Sequence, residues 1–272
     1  DLPLTYLWKP KYYASVEGQE RLTYARSFAR SQMKFADLDG DDDMDLLIGK
    51  GDGRLALFRN IGNPKESNLR LETEDFEVIH EEKDANQQLM YLNKIVDVGK
   101  NAAPDLADID DDGDLDLFVG SSDGQIFFFE NRGNKLLPKF FRVTPIYMNL
   151  NFVGNSVPRF ADLNGDLAKD LIVGLKDGRV MIYFNSGVST NALFCKEYDP
   201  LNPPDPRCKF QPLMLTNISP LGDASPTLVD WDRDKDMDIV IVKSYGNLDF
   251  FWNQGIPIVP DWHLDSDHFQ CI

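Results

Sequence analysis

The chain has 272 residues, a formal charge of −17, 42% hydrophobic and 11% aromatic residues, enough apolar material for a substantial core. An acidic balance of this size, with no basic stripe, argues against binding nucleic-acid phosphates, and no run approaches the roughly 18 to 20 apolar residues that a membrane span requires. The start at Asp1, with neither Met nor a signal-peptide pattern, reads as a processed or excised segment.

Residues 1–27 carry two short aromatic runs, LTYLWKP and KYYASV, and then one pattern is written four times. Each copy opens on an apolar approach: MKFAD, PDLAD, PRFAD and PTLVD, with Pro104, Pro158 and Pro226 four residues before the first Asp of the last three. The acidic runs follow: DLDGDDDMD (37–45), DIDDDGDLD (108–116), DLNGDLAKD (162–170) and DWDRDKDMD (230–238). Oxygen-bearing side chains stand at positions 1, 3, 5 and 9 of every run. They are Asp37, Asp39, Asp41 and Asp45; Asp108, Asp110, Asp112 and Asp116; Asp162, Asn164, Asp166 and Asp170; Asp230, Asp232, Asp234 and Asp238. Carboxylates this dense repel one another unless something neutralises them, and hard oxygen ligands without His or Cys point to Ca²⁺, about four ions in all. The competing reading, a solvated charge run that binds nothing, weakens when the context repeats four times.

Behind each loop comes a β-type run, LLIG, LFVG, LIVG or IVIV, then a turn at Asp52-Gly53, Asp123-Gly124, Asp177-Gly178 or Gly246-Asn247. A further apolar strand ends at Asn60, Asn131, Asn185 or Asn253, with a Gly two residues on. Fourth strands are less regular; the candidates are 75–80, 140–147, 209–215 and 257–264. The nearest approach to a helix, 81–92, is too short and polar to change the class, so the chain is predicted to be all β. First ligands are spaced by 71, 54 and 68 residues, which suits four-stranded blades with variable outer loops. Cys195 and Cys208 bracket a Pro-rich excursion, and a disulfide between them would restrict it; Cys271 is left over, and Asn217 begins the one N-glycosylation sequon.

These copies resemble the FG-GAP or VCBS repeats of β-propellers, the family that includes the calcium-bearing blades of integrin α subunits. The resemblance implies a loop between the first and second strands of each blade, with side chains at positions 1, 3, 5 and 9 and the backbone carbonyl at position 7 around Ca²⁺. Position 7 is Asp43, Asp114, Ala168 or Asp236. The family favours Gly at position 6, which only Gly113 keeps; Asp42, Leu167 and Lys235 replace it and would enter a left-handed conformation at some cost. Asn164 removes one charge from the third loop, so the second loop is expected to bind most tightly. An EF-hand is excluded, because its Glu at position 12 is Ile48, Val119, Val173 or Ile241 here, inside apparent strands.

The expected organisation is a partial blade or closing strands at 1–27, then blades at 28–103, 104–157, 158–225 and 226–272. The segment then either belongs to a larger ring, commonly seven blades in the family and completed by other segments of the same protein, or closes a small ring in an atypical way. Calcium at extracellular levels would fill such sites and cytosolic calcium would not, which places the protein outside the cytosol, at the cell surface or in the secretory lumen. No GxSxG, P-loop, GxGxxG or zinc-protease motif occurs, and His80, His263 and His268 form no catalytic arrangement, so no enzyme is expected, a polysaccharide lyase-like activity being the least favoured alternative. Two functions remain: a scaffold or adhesion module for a protein partner, or a lectin using Trp231, Tyr245 and Trp252, aromatics that would otherwise pack the blades. The insertions at 63–103 and 188–225 are where recognition is expected.

Overall fold

Short, largely apolar strands, several of them buried on both faces and separated by tight corners, form four blade sheets about one axis among the described residues. The computed structural model describes residues 11–16, 19–24, 31–63, 65–196, 205–216, 222–244, 246–256 and 259–265. Strands β1 (Lys11–Val16) and β2 (Gln19–Tyr24) form a hairpin. Blade 1 comprises β3 (Gln32–Ala36), β4 (Asp45–Gly49), β5 (Leu55–Asn60) and β6 (Leu69–Thr73) in sequential order. A second hairpin follows, β7 (Glu77–Lys83) and β8 (Leu89–Ile95). Blade 2 is β9 (Ala103–Ala107), β10 (Asp116–Gly120), β11 (Ile126–Asn131) and β12 (Phe140–Thr144). Blade 3 is β13 (Ser156–Ala161), β14 (Asp170–Leu175), β15 (Val180–Tyr183) and β16 (Leu213–Met214). Blade 4 is β17 (Ala224–Val229), β18 (Asp238–Lys243), β19 (Leu248–Asn253) and β20 (Trp262–Leu264).

The strand expected at 75–80 is not the fourth strand of blade 1. That place belongs to β6, because the Asn60 side-chain oxygen accepts from the Asn68 amide at 2.7 Å and starts the returning strand there. The same clamp recurs: Asn131 on Lys139 at 2.8 Å, Asn185 on Leu193 at 2.9 Å and Asn253 on Asp261 at 2.8 Å. Strand β7 instead joins the outer edge of blade 2, parallel to β12 through Ile79 and Phe141, so blade 2 becomes a six-stranded sheet. The 81–92 stretch is thus strand, turn and strand.

Three apolar cores lie between consecutive blades. The one joining blades 2 and 3 is built on aromatic rings, where the fully buried Phe118 ring sits 4.9 Å from Phe128, 4.2 Å from Phe160 and 4.9 Å from Tyr147, centroid to centroid. Each of these seams is also closed by a glycine. A Cβ on Gly120 would lie 2.0 Å from the Ser156 carbonyl oxygen and 2.7 Å from Pro158 Cδ, and Gly49 and Gly174 meet Ala102 with Pro104 and Ala224 with Pro226 in the same way. The LxxG ending and the proline before the next loop are therefore two halves of one contact. Between blades 4 and 1 that contact is missing: Val242 replaces the glycine and Met33 the proline. Met33 and Phe35 there are 58% and 53% exposed.

At the axis the inner strands are drawn together by polar groups. Gln32 of blade 1 accepts from Arg159 Nη2 of blade 3 at 3.4 Å and from Ser225 Oγ of blade 4 at 2.9 Å, while Lys34 Nζ lies 2.6 Å from the buried Asp105 Oδ1 of blade 2. Blades 1 and 3, on opposite sides, touch across the axis through that Gln32–Arg159 bond.

Candidate metal corners

Each acidic loop joins the first and second strands of its blade, and its backbone is folded by its own carboxylates. The position 1 side chain accepts amides from further along the loop: Asp108 from Asp112 and Gly113 at 3.2 and 3.1 Å, Asp162 from Asp166 and Leu167 at 3.2 and 2.9 Å, and Asp37 from Gly40 and Asp42 at 2.7 and 3.3 Å. Position 5 accepts the amide of position 7 in all four loops at 3.0 to 3.1 Å. These bonds curl the loop so that the carboxylates at positions 1, 3 and 5 converge. In the first, second and fourth loops, one oxygen from each lies within 4.8 Å of the others: Asp37, Asp39 and Asp41; Asp108, Asp110 and Asp112; Asp230, Asp232 and Asp234. In the third, Asn164 turns its amide onto Asp166 Oδ2 at 3.2 Å, so part of the repulsion is relieved internally.

Curling demands left-handed backbone. Position 6 has a positive φ in every loop, 68° at Asp42, 91° at Gly113, 70° at Leu167 and 79° at Lys235, as its preference for Gly implies. Position 4 does so as well, at Gly40, Asp111, Gly165 and Arg233, which sequence reasoning missed although two of the four are Gly. The fourth loop carries two non-Gly residues in this region, each costing about 1 to 2 kcal/mol. Strain of this kind persists where the surroundings over-determine it.

Position 9 has a structural duty that sequence did not reveal. One oxygen of Asp45, Asp116, Asp170 and Asp238 accepts the amide of the Asn that ends the third strand, at 2.7, 2.7, 2.7 and 2.9 Å. The other oxygen of Asp45, Asp170 and Asp238 accepts the amide of loop position 2. This carboxylate ties loop, second strand and third strand together while its remaining lone pairs stay available for a ligand. The same Asn uses its side-chain oxygen to clamp the returning segment after the third strand.

These carboxylates are buried at a cost. Buried oxygens without a hydrogen-bond partner occur at Asp39 and Asp43 in the first loop, Asp114 and Asp116 in the second, and Asp230 and Asp236 in the fourth. Burial pushes the Asp116 and Asp170 carboxyls up to about 7, and burial with the neighbouring acidic charges pushes Asp114 and Asp236 up to about 6. Unpartnered buried oxygens destabilise unless a cation or proton meets them. An all-oxygen donor set of this kind fits a hard divalent ion such as Ca²⁺.

Elsewhere, Cys195 and Cys208 form a disulfide with Cα atoms 5.8 Å apart. Asn217, Tyr245, His268 and Cys271 lie outside the described residues. Trp231 is 56% exposed, and Trp252 lines a groove of about 330 Å³ with Asp232 and Asp234. A second concavity, about 710 Å³, opens at the axis among Gln32, Asn101, Asn155, Asp223 and Ser225. No helix among the described residues is long and apolar enough to cross a membrane.

No curated protein matches the chain. Residues 108–173, which run from the second acidic loop into β14, match the family model of the FG-GAP-like repeat. Four blades of one plan stand around a common axis among the described residues, so the fold is a four-bladed β-propeller, and its stretch from the second loop into the third blade is similar to the FG-GAP-like repeat.

Proposed function

We propose that this propeller is a calcium-stabilised interaction module of an extracellular or secretory-lumen protein, acting by binding a protein partner rather than by catalysis. Calcium would be held by the oxygens at positions 1, 3, 5 and 9 of the four loops, with the position 7 carbonyl. The observation that carries the metal reading is the set of buried, unpartnered carboxylate oxygens at three of the converged corners. Extracellular modules bind calcium with dissociation constants of about 10⁻⁴ to 10⁻³ M, which millimolar calcium fills and cytosolic calcium does not. The disulfide agrees with an oxidising compartment.

The protein-partner reading is favoured by β8. It forms the outer edge of the six-stranded sheet, and Leu89, Met90, Tyr91 and Ile95 along it are exposed, Tyr91 to 61%. An edge strand with apolar side chains is a template for strand addition by another chain. The exposed Met33 and Phe35 offer a second place, where a further segment of the same protein would pack. The glycan reading is favoured by exposed Trp231 and by the Trp252 groove beside the fourth loop.

The test is capture from extracellular fluid in calcium, beside a glycan array. A protein captured by the wild type and lost with Tyr91→Glu supports the scaffold. Calcium-dependent binding to the array that Trp252→Ala abolishes, with no captured protein, would replace it with the lectin.

A further inference from the structure

The four corners share a backbone plan but differ in one slot, the residue preceding the Asn that ends the third strand: Arg59, Glu130, Phe184 and Trp252. In blade 1 this slot delivers a cation into the acidic corner. Arg59 Nη1 lies 2.5 Å from Asp45 Oδ2 and 3.4 Å from Asp39 Oδ2, the side chains at positions 9 and 3, and Arg59 Nε is held at 2.9 Å by Glu72 of β6. A second cation comes from the next blade. Lys135 Nζ lies 3.2 Å from Asp37 Oδ2, at position 1, and 3.5 Å from Asp42 Oδ1. Lys135 stands four residues after Asn131; the residue four after Asn185 is Ser189, whose hydroxyl donates to Asp111 of the second loop at 2.9 Å. The first corner thus receives two positive charges at the places where the second receives Glu130 and a neutral hydroxyl.

We propose that Arg59 and Lys135 take the place of a metal ion in the first corner, so that blade 1 is pinned without calcium while the other corners depend on it. This rests on the calcium reading above and narrows it from four ions to three. A divalent ion engaging positions 1, 3 and 9 of the first loop would have to displace both side chains or sit against their like charge. Unit and double charges about 4 Å apart repel by about 2 kcal/mol even at the dielectric of water, which lowers affinity about thirtyfold. The Asp39 oxygen left without a partner is what such an ion would reach once the guanidinium was gone.

The test is the number of Ca²⁺ ions bound per chain at equilibrium, at a concentration that just saturates the tightest sites, with melting in chelator as a second readout. Wild type is expected to bind three. Arg59→Phe with Lys135→Ser, which copies the residues blade 3 uses in these slots, is expected to bind four, and adding Asp39→Ala to it to return the count to three. In chelator that double variant melts below wild type, because the first corner has lost its cations, and calcium restores it. Four ions on wild type with no change in the double variant would overturn this inference and leave the calcium reading standing. No ions on wild type would sink the calcium reading itself.

Discussion

The seam between blades 2 and 3 and the acidic corner of blade 2 are joined by one strand, β10, and cohere by opposite physics. At the seam, Phe118 is enclosed by aromatic rings and Gly120 lets the backbone of β13 approach. That contact is apolar and carries no ionised group of its own. At the corner, Asp116 begins the same strand with a buried carboxylate that ties β11 to the loop and keeps one oxygen unpartnered. The seam stabilises by itself; the corner stabilises only when its charge is met. On the calcium proposal, a propeller built this way has a permanent inner frame and corners, the first excepted, whose order is conditional on the ion.

Breaking the seam gives the largest expected effect. Phe118→Ala should cost about 3 to 5 kcal/mol, a fall in melting temperature on the order of 10 °C for a domain of this size, and by the same amount in calcium and in chelator. A loss confined to one condition would mean that seam and corner are not separable.

At the corner the sign itself should change. Asp116→Asn removes one of the clustered charges and keeps an oxygen to accept the Asn131 amide. In calcium it should destabilise by about 1 to 3 kcal/mol by losing a charged ligand; in chelator near pH 8 it should be neutral or stabilising, because a desolvated carboxylate has gone. Paired denaturant titrations measure both arms, and equal destabilisation in both would assign Asp116 to hydrogen bonding alone.

A further effect comes from pH. Burial raises the Asp116 and Asp170 carboxyls from 3.8 to about 7, so the folded chain binds their protons more tightly than the unfolded chain does. That contribution is full below about pH 4 and is lost as pH rises through 7. In chelator the melting temperature should fall between pH 5.5 and 8. In calcium, which binds the ionised form, the slope should flatten or reverse.

The repeat itself made most of this frame legible, since loop, second strand, Asp-Gly corner and third strand are written into each copy. The fourth strand of blade 1 was not, because its start is set by the Asn60 side chain reaching Asn68, a bond that no hydrophobic pattern announces. The hairpin of β7 and β8 joins blade 2 through a non-local edge, and its turn and polar residues imitate a short helix. In the corners, the oxygen-bearing positions of each loop could be read directly, and so could the left-handed position 6. The charges that distinguish the first corner come from Arg59 and from Lys135, 93 residues beyond Asp42, and only the packed structure places them together.

Calorimetric melting of one preparation in millimolar calcium and in excess chelator bears most directly on whether ions pin these corners. Three sites filled to about ten times their dissociation constants contribute about 4 kcal/mol together, so the chelated protein should melt on the order of 10 °C lower, with readdition of calcium restoring the original transition. Superimposable melting curves in the two conditions would contradict it.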